Sequence, residues 1–182
     1  MRRLDLFLVV FITALMSGLP ARAQDKCRWE ALPTQARSRV SKKFPEWRIK
    51  LLSDLEAYDK GLWLKEHPKE CPGIAVGHFE DPSHIAYGLL LIPKSASRTG
   101  YKIVVLTKSG ALEGYSLKIL DQDSGDDSGL VISKVPPGRY TGFDTAQSVR
   151  LKLDGIETDW LEKSSTLFYW RNGRYLSLPT SD

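Results

Sequence analysis

The sequence predicts an α+β fold: a mostly antiparallel β-sheet with two short N-terminal helices. Three observations predict it. Before Pro68 the apolar residues recur at helical spacing. From Gly73 onward they alternate or run together, as strands do. Near the C-terminus, Asp154-Gly155 and Asn172-Gly173 each sit between alternating segments, the setting of a hairpin turn. No strand–helix alternation follows Gly73, so consecutive strands are expected to pair locally and antiparallel.

The elements follow in order. Thr34 can cap a short helix in which Ala36, Val40 and Phe44 recur every four residues, and Pro45 ends it. Ser53-Asp54-Leu55-Glu56 fits a capping box. Leu55, Tyr58 and Leu62 would then share one face of a second helix, stopping before Pro68. Next, Ile74, Val76 and His78 alternate with Ala75, Gly77 and Phe79. Residues 85–92 are almost continuously apolar, as in a strand buried on both faces. Residues 101–107 are β-branched and apolar, Tyr115, Leu117 and Ile119 alternate with Ser116 and Lys118, and 130–135 form a shorter run ending at Pro136-Pro137-Gly138. Val149, Leu151 and Leu153 lead into Asp154-Gly155 and out through Ile156, Thr158 and Trp160. Asn172-Gly173 repeats the device between 167–170 and 175–178, because both central positions of such a turn want φ > 0.

Residues 1–23 have the three parts of a secretory signal peptide. Arg2 and Arg3 give a positive start, 6–16 are apolar, and Ala21-Arg22-Ala23 supplies small residues for cleavage. The run is too short for the ~30 Å hydrocarbon layer, which takes about 20 residues. The expectation is therefore a periplasmic or secreted protein, one domain over 24–182, with no stable membrane insertion after cleavage. Of 26 basic and 22 acidic residues, Arg2, Arg3, Arg22 and Asp5 leave with the leader, so the net charge falls near +2. That argues against a nucleic-acid partner. Cys27 and Cys71 both follow the cleavage point, and an isolated pair in an oxidising compartment is expected to form a disulfide. Residues 26–50 carry eight basic and two acidic residues, which a solvated helix face explains, with a binding patch as the alternative.

Nucleophile elbow, phosphate loop, H-E-x-x-H and dinucleotide fingerprint are all absent, so no catalytic residue, metal ligand or cofactor is expected. His78-Phe79-Glu80-Asp81-Pro82-Ser83-His84 holds two imidazoles and two carboxylates, but its spacing fits a strand-connecting loop better than a metal site. The acidic run from Asp121 to Asp127 invites calcium. Counted from Asp121, Asp126 and Ile132 stand where an EF-hand needs Gly and Glu, which favours a solvated loop. The remaining candidate is aromatic. Trp160, Phe168, Trp170 and Tyr175 are either cross-strand core pairs or an exposed binding surface.

Two stretches resemble a known pattern. Cys71-Pro72-Gly73-Ile74-Ala75-Val76-Gly77-His78-Phe79, followed by Ile85-Ala86-Tyr87-Gly88-Leu89-Leu90-Leu91, resembles the strand–loop–strand segment of exported bacterial proteins with FG-GAP-like or VCBS-like segments. Phe168-Tyr169-Trp170-Arg171-Asn172-Gly173-Arg174-Tyr175 resembles the C-terminal hairpin of uncharacterised exported bacterial proteins. The resemblance implies a β-rich extracytoplasmic protein and carries over no enzyme activity to it. Calcium-binding members place acidic residues throughout the loop; here His78 stands at the first of those places and only Glu80 and Asp81 remain. The expected function is non-enzymatic binding of a protein or cell-envelope component. The alternative is an extracytoplasmic hydrolase whose residues converge only in three dimensions, with His78 and His84 as first candidates for its base.

Overall fold

The computed structural model describes residues 27, 29–109, 114–143 and 147–181. The leader expected at 1–23 lies outside them. Two helices, α1 (Thr34–Lys43) and α2 (Ala57–Glu66), flank a short strand, β1 (Trp47–Ile49). Ten strands follow: β2 (Ile74–Gly77), β3 (Ala86–Pro93), β4 (Tyr101–Ser109), β5 (Gly114–Asp123), β6 (Leu130–Val135), β7 (Arg139–Thr141), β8 (Ser148–Arg150), β9 (Gly155–Trp160), β10 (Ser164–Arg171) and β11 (Arg174–Ser181). Every strand pairing is antiparallel. No helix among the described residues is long and apolar enough to cross a membrane.

The strands form two sheets and a ribbon. The first sheet runs β1-β3-β4-β5, with β2 also on β3; the second runs β11-β10-β9-β6; β7 and β8 pair with each other. The period-2 pattern explains how they stack. Ala86 and Leu90 of β3, with Ile103 and Val105 of β4, join Leu130, Ile132, Ile156 and Phe168 of the second sheet in one core. The intervening Leu89, Leu91, Val104 and Leu106 point the other way, onto Ala36, Val40 and Phe44 of α1. Strands β3 and β4 are thus covered on both faces, as their continuous apolar runs require. Gly88 permits a close approach between the sheets, since a Cβ there would lie 2.8 Å from Ile156 Cδ1. On the far side of the second sheet, Leu167, Tyr169 and Leu178 pack against Val149 and Leu151 from the ribbon region, and Val131 packs against Trp63 of α2.

Several local expectations are corrected. Thr34 is the first residue of α1, and Pro33 occupies the cap position without a side-chain bond. The Ser53–Glu56 capping box does not form; Glu56 precedes α2 with no side-chain cap. Instead Asp54 closes a 3-10 turn, Leu52–Asp54, by accepting from the Leu51 N–H at 2.7 Å. Trp63 is the buried residue of α2, whereas Tyr58 is 62% exposed and donates to Glu162. Asp154-Gly155 makes no hairpin: β8 pairs with β7, and β9 pairs with β6 and β10. Asp154 uses its carboxylate to accept the His78 N–H at 2.8 Å, and a Cβ on Gly155 would lie 2.7 Å from Leu167 Cδ1. Close packing, not turn chemistry, explains that glycine. Asn172-Gly173 does turn the β10–β11 hairpin, with φ of 52° and 78° and Trp170 opposite Tyr175.

Candidate binding site

A largely apolar cleft lies on the outer side of the first sheet, with a volume of about 570 Å³. Trp47 and Ile49 of β1, Leu51 and Leu52 of the following turn, and Trp29 form its apolar wall; Arg48, Lys60 and Lys94 stand among them. Volume and lining are in the range of small-molecule sites, apolar with a few polar groups.

Local chemistry builds the wall. Arg48 forks onto Asp54, Nη1 to Oδ2 at 2.6 Å and Nη2 to Oδ1 at 2.8 Å. A bidentate pair of this kind fixes direction as well as charge. It ties β1 to the Leu52–Asp54 turn, which carries Leu52 and Ser53 to the cleft. Burial pushes the Asp54 carboxyl up, but the Arg48 guanidinium and the Leu51 N–H outweigh it and hold it below the ordinary carboxylate range. Lys94 donates to the Pro45 carbonyl at 2.6 Å and so anchors the entry to β1.

Cys27 also lines the cleft, and Cys71 lies buried beside it; the two thiols interact but are not joined. The contact with Cys27 and burial both push the Cys71 thiol up. Lys50, taken from sequence as part of a solvated basic face, is 1% exposed. Its ammonium donates to the Asp127 backbone carbonyl and lies 3.4 Å from Asp127 Oδ2. Burial lowers its pKa despite that partner.

The aromatic residues singled out by sequence divide between core and edge. Phe168, 8% exposed, belongs to the core between the sheets, and Trp160 packs against it, edge-on to Tyr101. Trp170 and Tyr175 sit at the edge of that layer, where β10 and β11 face β5, in a groove of about 400 Å³ that also includes Lys118 and Arg174. The Lys118 ammonium lies 4.4 Å from the Trp170 ring centre and pairs with Glu80. Tyr175 Oη and Glu80 Oε1 are both buried without a hydrogen-bond partner, and burial, reinforced by the nearby Glu80 charge, raises the tyrosine pKa. This groove is therefore largely satisfied from within: its lysine has a carboxylate, and a ring face of its tryptophan has a cation.

The histidines do not converge on a nucleophile. His78 Nδ1 lies 3.1 Å from the His84 carbonyl, and His84 Nδ1 lies 2.9 Å from Asp81 Oδ2. The acidic run spends its carboxylates internally. Asp121 accepts from Tyr101 Oη, Asp123 from the Gly125 N–H, and Asp126 from Ser128. Among the described residues, no group of three or more His, Cys, Asp or Glu side chains could hold a metal ion.

Sequence reading missed the cleft. Trp47-Arg48-Ile49 alternates as a strand does, but three residues directly after Pro45 are too few to carry a period. The spacing of Arg48 and Asp54 is visible in the sequence; the bidentate pair is not. Compared with family models, curated proteins and solved structures, the chain matches none.

Proposed function

We propose that this chain is an exported, non-enzymatic binding domain of the bacterial cell envelope, and that the cleft beside Cys27 receives the apolar part of an envelope component. One observation carries the reading: a cleft of about 570 Å³ walled by Trp29, Trp47, Ile49, Leu51 and Leu52. A surface this apolar is costly to leave open to water unless something occupies it. The reading also takes Cys27 and Cys71 to be joined outside the cytoplasm, which would brace the segment carrying Trp29 against the first sheet. The resemblance to exported β-rich proteins points to the same compartment.

An uncharged fluorescent probe, N-phenylnaphthylamine, tests the cleft. The purified protein is expected to bind it with enhanced fluorescence. Leu52→Glu, which sets a carboxylate in the apolar wall, is expected to abolish that signal while the melting curve stays cooperative. Absence of binding by the unaltered protein, or full binding by Leu52→Glu, would refute the assignment.

A further inference from the structure

We infer that the occupant of the cleft is an anionic amphiphile, one acyl chain ending in a carboxylate or phosphate group, and that Lys60 is its charge partner. This rests on the reading of the cleft as a binding site. Three cationic side chains line it, and their commitments differ. Arg48 is neutralised by Asp54 in a bidentate pair. Lys94 has the Pro45 carbonyl. Lys60, half-buried on α2, makes no side-chain hydrogen bond or ion pair among the described residues. A lysine lining an apolar cleft with no ionic partner among the described residues favours a ligand that brings one. Among the described residues Glu30 is the one acidic residue in the lining, against Lys60 and Lys94 once the Arg48 charge is matched by Asp54. The electrostatic balance of the cleft is therefore positive, and an anion is attracted where a cation is not.

Chain and head group are separable in an experiment. Laurate and dodecanol share one alkyl chain and differ in charge; lysophosphatidylglycerol offers a phosphodiester in place of the carboxylate. Each is titrated calorimetrically below its critical micelle concentration at low salt. The unaltered protein is expected to bind laurate or the lysolipid roughly tenfold more tightly than dodecanol, a difference that added salt narrows. Which of the two anions binds more tightly assigns the source of the charge. Lys60→Met is expected to remove the preference without weakening dodecanol, and Lys60→Arg to keep it. Equal binding of dodecanol and both anions by the unaltered protein, or a preference that survives Lys60→Met, would overturn the inference while leaving the cleft assignment standing. Failure of all three to bind would overturn both.

Discussion

The first sheet is covered differently on its two faces. Its inner face meets a second sheet, and alternate residues of β3 and β4 interleave with Leu130, Ile132, Ile156 and Phe168 in one buried core. Its outer face meets α1, ten residues long, which at 1.5 Å per residue spans about 15 Å. The helix packs Ala36, Val40 and Phe44 onto this face, and the cleft opens beside it, against β1 and the turn that the Arg48–Asp54 pair ties to it. The difference shows where a small domain can hold a cleft without loosening its core: on the side where a short helix, not a sheet, closes the layer.

The largest effect should come from the cysteines. The Cys27–Cys71 bond proposed above would close a loop of about 45 residues, and the chain-entropy model gives an upper estimate of roughly 4 kcal/mol. Native exported protein should therefore show no free thiol, and reduction should expose amides around Trp29 and β1 to hydrogen exchange before those of β9 and β10. Two titratable thiols in the native protein would remove the brace from the account.

Next comes the contrast in packing. Ile156→Ala, in the filled layer, should cost about 3 kcal/mol in urea unfolding. Leu52→Ala, at the cleft wall, should cost less, about 1 to 2 kcal/mol, because that side chain is only partly buried, against the Trp63 cluster. Comparable losses would mean that the two layers are equally packed.

The smallest effects are electrostatic and opposite in sign. Asp54 is held below its ordinary value of 3.8, so its contribution is present above that value and lost as pH falls through its folded pKa. Burial on β9 raises Glu157 above its ordinary 4.5, although Thr180 donates to it, so stability is lost as pH rises from 4.5 through its folded pKa. At neutral pH, Asp54→Asn should destabilise by about 1 kcal/mol, and Glu157→Gln should stabilise by a few tenths. Both differences should shrink in acid. A Glu157→Gln protein less stable than its parent at neutral pH would reverse the sign assigned to that carboxylate.

Much of the architecture is legible in local pattern. Residues 85–92 and 101–107 announce strands covered on both sides, and Asn172-Gly173 announces its hairpin, because a two-residue turn and a period of two are short-range properties. Asp154-Gly155 carries the same local signal and yields none, since its glycine is claimed by Leu167 and its carboxylate by His78, 76 residues away in the chain. The division between Phe168 in the core and Trp170 at the edge is likewise invisible to alternation, which assigns both to one face.

By itself, then, the chain determined most of its longer strands, their antiparallel habit and two N-terminal helices, because backbone conformation responds to neighbours a few residues away. Only the tertiary structure decided that the strands divide into two stacked sheets, that Lys50 is buried against Asp127, and that Trp29, Trp47, Leu52 and Lys60 share one cleft. Those outcomes depend on which surfaces meet and how far each element reaches, and neither quantity is written in any local stretch of residues.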